Sequence, residues 1–459
     1  MRSSDSLLDT IVAPATPFGK SALALLRLSG RDTLRILRAL APELPVRPEP
    51  RRAYLRTLRD QAGEPIDTGL VTFFPGPASV TGEDVGELSA HGSPAAVQRL
   101  LRAAVDAGAR MARPGEFTER AFRSGKIDLV RAEAVRELIE AKTPAAAAAS
   151  ARRLAGRLSE RIQAVRDDLL TASAGLAAAV DFAEDVGEAV DPAVEKALEG
   201  AAGALARLSA SYETGRLLAE GCRVVILGRP NAGKSTLFNA LVGSERAIVT
   251  EIPGTTRDAL EAAIDVRGIP VTVVDTAGLR ESGDLVERIG VERARAEAER
   301  ADAVLYVFDA AAGWGIEDDR ALESLDAEDG APGTPRMLVA NKIDRAGTPA
   351  GDSPPATRVC GLEPQEAASR LRRLLEETLA ESVSIEESSE VLGTLRQRNL
   401  VDDARCAAEQ TLAALRDGLS PEYAATHCHA ALDSLADLVG ETTSEDVLER
   451  VFASFCIGK

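Results

Sequence analysis

The apolar positions of this chain change their spacing along its length. From residue 6 to about 120, short strand-like runs alternate with helix-like ones. Ile11-Val12-Ala13, Leu23 to Leu28 and Leu70 to Phe74 read as strands, the last ended by Pro75-Gly76-Pro77, and Val97 to Ala107 reads as a helix. From Ile127 to about Leu218 the pattern lengthens into Ala/Leu/Arg/Glu helices with few breakers; Gly187 and Pro192 mark one turn. The Ala-rich run Pro144 to Ala151 is helix-prone. Between about 219 and 381 three apolar runs read as buried strands: Val224 to Leu227, Val271 to Val274, and Met337 to Ala340. Helical composition returns from about Ser389 to Phe455, and no internal repeat is found.

The simplest organisation is a multidomain α/β plus all-α chain. An N-terminal α+β domain is expected over 1–122, and a first helical part over 123–218. An inserted α/β domain follows over 219–381, then a second helical part over 382–459. The two helical parts are expected to pack into one bundle around the insertion point; the alternative is two independent bundles.

Chemistry sits at the end of each of the three central strands. Residues 228 to 235, Gly-Arg-Pro-Asn-Ala-Gly-Lys-Ser, form a complete G-x-x-x-x-G-K-[ST] phosphate-binding loop between a strand and the helix-like Thr236 to Leu241. Its glycines let successive N–H groups point at phosphate oxygens. Lys234 can reach the β- and γ-phosphates, and Ser235 can ligate Mg²⁺. The second strand ends in Asp275-Thr276-Ala277-Gly278. Asp275 there can hold the Mg²⁺ shell, and the Gly278 N–H can meet the γ-phosphate. The third ends in Asn341-Lys342-Ile343-Asp344, and a carboxylate at Asp344 accepts from both N1–H and the N2 amino group of guanine. Adenine has no such donor pair, so the three motifs in order point to a GTPase rather than an ATPase.

Composition narrows the partners. The formal net charge of −18 argues against a general polyanion binder without excluding a local basic site. Aromatic residues make up only 3% of the chain, so Ala, Leu and Val must do most of the packing. The five cysteines show neither CxxC nor framework spacing, as expected of a reducing cytosol. His427-Cys428-His429 reads as a polar stretch in or near a helix rather than a metal site. No apolar stretch approaches a membrane span and no signal-peptide core opens the chain, so a cytoplasmic protein is expected. Only seven lysines occur, and two, Lys234 and Lys342, lie in nucleotide motifs.

The residue after Asp-Thr-Ala-Gly is Leu279, where a Ras-type enzyme carries the glutamine that orients water. Another group must do so, and Glu281, Asp284, Glu287 and Glu292 lie nearby in sequence. Asn231, inside the phosphate loop, has two readings: a ligand for a monovalent cation beside the β/γ-phosphates, or a loop-stabilising Asx bond.

These residues, taken with longer motifs, resemble the MnmE (TrmE) family of tRNA-modification GTPases from Thr10 to Lys459. The N-terminal motifs are Asp9 to Pro17, Leu26-Arg27-Leu28-Ser29-Gly30, Phe74 to Pro77, Thr81 to Glu87 with His91-Gly92, and Arg113 to Phe122 running into Gly125 to Leu129. In the central domain, Gly254-Thr255-Thr256-Arg257-Asp258 is similar to the family's switch I, and Val286 to Gly290 to its switch II. Phe455-Cys456-Ile457-Gly458-Lys459 matches the family's terminal signature.

The resemblance implies a homodimer with a folate-binding N-terminal domain, a split helical domain and an inserted Ras-like P-loop G domain. It implies a K⁺-dependent GTPase whose G domains meet across the nucleotide. GTP contacts are then expected from Asn231, Ala232, Gly233, Lys234, Ser235, Thr236, Thr250, Glu251, Ile252, Pro253, Gly254, Thr255, Thr256, Asp275, Thr276, Ala277, Gly278, Asn341, Lys342 and Asp344. Ser235 and Thr256 match the Mg²⁺ ligands, and Asn231, Thr250, Ile252 and Thr255 the K⁺ ligands. Glu287 matches the residue that orients the attacking water, and Arg27, Glu87, Lys126 and Lys459 match positions around 5-formyl-tetrahydrofolate or a related folate. The implied partner is the flavoprotein MnmG (GidA), which carries FAD, in a heterotetramer or larger complex. With it the family adds an aminomethyl or carboxymethylaminomethyl group to C5 of the wobble uridine, U34, in certain tRNAs. No membrane association is implied.

The chain departs from the family at Val359-Cys360-Gly361, where a Ser-Ala motif backs the guanine, at Val80, where an aromatic is usual, and at Gly19 to Ala22. Two other classes compete with this one. A GTP-gated assembly factor is disfavoured by the N-terminal motifs and the Phe-Cys-Ile-Gly-Lys signature. A folate-binding scaffold with a decayed GTPase is disfavoured by the three intact nucleotide motifs.

Overall fold

The computed structural model describes residues 9–181, 191–243, 247–248, 260–276, 296–326, 334–345, 354–380 and 391–458. They fall into two compact units, one of residues up to 136 together with 422 onward, the other of 137–421.

The first unit is built on a six-stranded sheet: β1 (Ile11–Pro14), β2 (Ser21–Ser29), β3 (Ala53–Arg59), β4 (Pro65–Phe74), β5 (Val85–Gly92) and β6 (Arg110–Met111), in the order β3-β4-β5-β2-β1-β6. Only the β1–β6 pairing is parallel. Helices α1 (Thr33–Leu40) and α2 (Pro94–Asp106) cover one face. Their Ile36, Leu37, Leu40 and Leu100 share a core with Leu26, Leu28, Val71 and Leu88, all fully buried. Period-two alternation sends the other side chains to the opposite face, which leaves Leu23, Leu55 and Leu70 exposed. Helix α3 (Glu116–Arg123) carries the buried Arg120, whose guanidinium bonds Asp9, Glu83 and Glu116. Helix α4 (Leu129–Glu140) follows, and its Leu129 and Ala132 pack with Leu448, Phe452 and Phe455.

The second unit opens with α5 (Pro144–Leu154), α6 (Arg157–Asp181), α7 (Pro192–Ala210) and α8 (Tyr212–Ala219). Helix α6 buries Leu158, Ile162, Val165, Leu169, Ala172 and Leu176, a spacing of three and four that lines one face. A Cβ on Gly175 would stand 2.4 Å from Val194, so glycine lets α6 and α7 approach closely. Helix α7 also packs on α12 (Leu395–Arg416), so helices from before and after the central domain form one bundle.

Between them lies a seven-stranded sheet. Its strands are β7 (Cys222–Leu227), β8 (Ala247–Ile248), β9 (Leu260–Val266), β10 (Ile269–Asp275), β11 (Ala303–Asp309), β12 (Arg336–Asn341) and β13 (Thr357–Arg358). The order is β13-β12-β11-β7-β10-β9-β8; the first five strands are parallel, while the β10–β9 and β9–β8 pairings are antiparallel. Helices α9 (Lys234–Val242), α10 (Ile316–Asp326) and α11 (Pro364–Ala380) belong to the same unit. Leu237, Leu241 and Leu371 share a core with Val224, Ile226, Val271 and Val339, and Leu217 and Leu218 of α8 enter that core too. The chain then runs through α13 (Pro421–Val439), where His427-Cys428-His429 lies within a helix, and α14 (Glu445–Ala453). Among the described residues no helix is long and apolar enough to cross a membrane, and no metal-holding cluster of His, Cys, Asp and Glu occurs.

Candidate nucleotide site

In an open parallel sheet, ligands bind outside the carboxyl ends of the strands, where the strand order reverses. Here that point is β7, with β11 on one side and β10 on the other. The phosphate loop leaves β7 at Gly228, whose φ of +140° and contact with Val307 leave no room for a side chain: a Cβ would stand 1.9 Å from the Val307 oxygen. Asn231 takes a left-handed φ of +61°, a conformation Asn tolerates. Gly233 caps α9 with φ +97°, so the N–H groups of the first helical turn face the loop's mouth. The Lys234 ammonium is nearly buried and donates to the carbonyls of Gly228 (2.8 Å) and Arg229 (2.9 Å). Ser235 and Thr236 follow in that first turn.

Asp275, fully buried, ends β10 in register with Ile226 of β7, and the Thr276 hydroxyl donates to the Ile226 carbonyl at 2.8 Å. The second motif is thereby fixed beside the first.

The third motif is clamped from two directions. Asn341 Nδ2 donates to the Ala232 carbonyl (2.9 Å), and Asn341 Oδ1 accepts the Gly361 N–H (3.0 Å). Lys342, at φ +60°, places Nζ 2.8 Å from Asp309 Oδ2. Burial works against the Asp309 carboxylate, but Lys342 and the Ala311 N–H outweigh it and hold its pKa below the usual range. The Cys360 thiol donates to Asp344 Oδ1 at 3.3 Å. A cavity of about 100 Å³ opens here, lined by Gly233, Thr236, Asn341, Asp344, Gly361 and Leu362 among others. It joins the base reader to the phosphate loop.

The sequence motifs assign no contact to Cys360, Gly361, Asp309 or Arg229. The first two stand in the stretch that departs from the family pattern. The last two carry no motif signal, and only the fold shows their partners. Asp318, fully buried, takes the Arg229 guanidinium in a two-point ion pair, and also accepts from the Tyr306 hydroxyl (2.9 Å) and the Gly315 N–H (2.9 Å).

A Gly233→Ala change tests how tightly loop and base reader are joined. Its Cβ would stand 2.2 Å from Asn341 Nδ2, at a φ that side chains rarely adopt. Nucleotide affinity is expected to fall on the order of 10²-fold, because strain and a lost buried hydrogen bond each cost about 1–3 kcal/mol. Titration with a fluorescent GDP analogue measures it, and an unchanged affinity refutes the coupling.

Of the other expected nucleotide and metal residues, Thr250, Glu251, Ile252, Pro253, Gly254, Thr255, Thr256, Ala277, Gly278 and Glu287 lie outside the described residues, as does Lys459. In the first unit, Arg27 and Glu87 face each other across β2 and β5 and form a half-buried ion pair (Nη2–Oε1 2.8 Å). Lys126 follows α3, and a Cβ on Gly82 would stand 3.6 Å from its Cε. The Phe455–Gly458 segment reaches the end of β1: a Cβ on Gly458, at φ +95°, would stand 2.1 Å from the Pro14 oxygen.

A phosphate loop, a buried strand-end aspartate and an Asn-Lys-x-Asp base pocket at one crevice of a mostly parallel sheet define a P-loop GTPase domain, here joined to a helical bundle and an α+β unit. Residues 129–456 match the MnmE helical domain, and residues 10–126 match the N-terminus of the GTP-binding protein TrmE. A tRNA modification GTPase MnmE of Aquifex aeolicus strain VF5 is 41% identical over 457 residues, covering 98% of this chain and 100% of that protein. Its counterpart from Salinibacter ruber is 42% identical over 463 residues, covering 98% and 99%. Among solved structures, the G domain of the T. maritima FeoB iron transporter is 23% identical, covers 34% of this chain and 98% of that one, and has a TM-score of 0.25. The chain belongs to the MnmE (TrmE) family of tRNA modification GTPases.

Proposed function

We propose that this chain is a K⁺-stimulated GTPase that acts with a flavoprotein of the MnmG (GidA) kind to place an aminomethyl or carboxymethylaminomethyl group on C5 of the tRNA wobble uridine, U34. The observation that carries the reading is full-length similarity to MnmE proteins, together with the convergence of three nucleotide motifs at one crevice.

Lys234 would leave its two loop carbonyls for the β/γ-phosphate oxygens, and the N–H groups opening α9 would hold the phosphates. Asp344 would accept from the guanine edge. Mg²⁺, when bound, neutralises charge on the phosphates; the oxygen donors Ser235 and Thr256 would hold it, with Asp275 at the end of the neighbouring strand. Asn231, on the phosphate loop with a left-handed backbone, and Thr250, Ile252 and Thr255 would hold K⁺.

The open face of the first unit's sheet combines exposed Leu23, Leu55 and Leu70 with the half-buried Arg27–Glu87 pair. An apolar face with one polar anchor suits a flat heterocycle and a second copy of the chain. A folate held by Arg27, Glu87, Lys126 and Lys459 would supply the one-carbon unit, while the FAD belongs to the partner.

Mass spectrometry of tRNA nucleosides from a deletion strain tests the whole reading. Loss of the C5 modification at U34 supports it, and normal modification rejects it. Cation dependence tests the potassium site. GTP turnover should rise in K⁺ and fall in Na⁺, whose smaller radius suits the cage poorly, and Asn231→Ala should remove most of the difference. Equal rates in the two salts would sink this part.

A further inference from the structure

Aromatic side chains are scarce here, yet three of them gather beside the phosphate loop's anchor. Tyr306 and Phe308 are buried on β11, and the chain's single tryptophan, Trp314, sets its ring against both, with centroids 5.8 and 5.1 Å away. The indole Nε1–H donates to Asp319 Oδ1 at 2.8 Å, which fixes the ring's orientation. Around it opens a groove of about 540 Å³, walled by Trp314, Ile316, Asp319, Leu322, Leu338 and Pro354. Ile316 is 70% exposed. A fixed indole beside an open isoleucine is the composition of an interface anchor pocket.

The rim is acidic. Helix α10 carries Glu317, Asp318, Asp319 and Glu323 against one basic residue, Arg320. Asp318 is turned inward and takes Arg229 in a two-point pair, the Glu317 carboxylate, 79% exposed, stands 3.8 Å from the same guanidinium, and Asp319 lies in the groove wall. Such a rim repels a phosphodiester backbone and attracts lysine and arginine.

The groove also shares a carboxylate with the nucleotide site. Gly315 closes the groove's wall, and its N–H donates to Asp318, the residue that holds Arg229 of the phosphate loop. A Cβ on Gly315 would stand 2.7 Å from Arg229 Nη2, so the guanidinium lies directly against this wall.

We propose that the Trp314 groove docks a protein segment with an apolar anchor flanked by lysine or arginine, and that occupancy reaches the phosphate loop through Asp318 and Arg229. The partner is thus a basic protein surface rather than a nucleic acid. The binding half stands apart from the wobble-uridine reading, and the second half needs only GTP turnover.

Trp314 serves as its own reporter. The full chain is titrated, with excitation selective for tryptophan, against a synthetic twelve-residue peptide bearing one phenylalanine among lysines. A second peptide carries glutamates in their place. The lysine peptide is expected to change Trp314 emission saturably, with affinity falling as salt rises. Glu317→Lys should weaken it about ten-fold, because like charges now face each other, and should favour the glutamate peptide. Ile316→Ser should abolish the saturable change while leaving GTP turnover of the free chain as it was. At saturation, the lysine peptide should alter native GTP turnover at least about two-fold, and should leave that of Ile316→Ser unchanged. No saturable change, or equal binding of the two peptides, overturns the docking proposal. So does an emission change that follows the chain's own concentration without peptide, which would place a second copy in the groove. A peptide that binds without altering turnover overturns the link to the phosphate loop.

Discussion

Asp344→Asn is expected to move nucleotide preference from GTP to XTP. In the native protein the Asp344 carboxylate lines the base cavity and is held from one side by the Cys360 thiol. Toward guanine it can accept two charge-assisted bonds, each worth roughly 1.5–3 kcal/mol. An asparagine keeps one acceptor and turns the other position into a donor. That donor meets guanine's amino group, so a bond becomes a clash of donors. GTP affinity should therefore fall by about 10²- to 10⁴-fold, at 1.4 kcal/mol per factor of ten. Xanthine carries a carbonyl oxygen at that position and restores the match. Lys234 and Ser235 lie on the phosphate loop and are left as they were. Titration of the variant with fluorescent GTP and XTP analogues decides the matter, and an unchanged preference for GTP would falsify the base-reading role of Asp344.

Glu287→Ala should bind GTP normally and hydrolyse it slowly. Leu279 follows the Asp-Thr-Ala-Gly motif, and an apolar side chain cannot orient water. If Glu287 does so through a bridging water, it acts in the transition state and not in binding. Its loss then lowers kcat with little change in affinity. The expected drop is on the order of 10²-fold or more, as for a positioned acid–base group. Single-turnover hydrolysis beside a nucleotide titration separates the two effects. Normal hydrolysis by Glu287→Ala, with a slow Glu281→Ala or Glu292→Ala, would move the role to one of those residues.

The nucleotide-site motifs were legible in the sequence because each is local. A glycine needed at positive φ, as at Gly228 and Gly233, shows in the letters, since no other residue takes that backbone so cheaply. The strands before the motifs were legible for the same kind of reason. A parallel strand covered on both faces reads as a near-continuous apolar run; Val224 to Leu227 does so, and Val271 to Val274 does so but for Thr272. The spacing of α6, with its buried Leu158, Ile162, Val165 and Leu169, likewise announces a helix with one apolar face. The resemblance to MnmE proteins added residues that no local pattern marks, among them Arg27 and Glu87.

Tertiary structure alone decided which distant residues meet. Asp318 lies 89 positions from Arg229, and nothing in α10 announces that one acid of Glu317-Asp318-Asp319 turns inward while its neighbours face water. That choice follows from helical geometry, which points successive side chains about 100° apart, and from the cost of burying the Asp318 carboxylate without a cation, which Arg229 supplies. The base pocket has the same origin. Cys360 lies 16 positions from Asp344, and Gly361 lies 20 from Asn341, but β12 and β13 run parallel and bring both pairs to one edge. The sequence by itself determined β1, β2, β4, β7, β10 and β12, the helical character of the bundle and the three nucleotide motifs, because backbone conformation and burial pattern are set within a few residues. The pairing of Arg229 with Asp318 and of Cys360 with Asp344 depends on strand order and register, which only the packed sheet supplies.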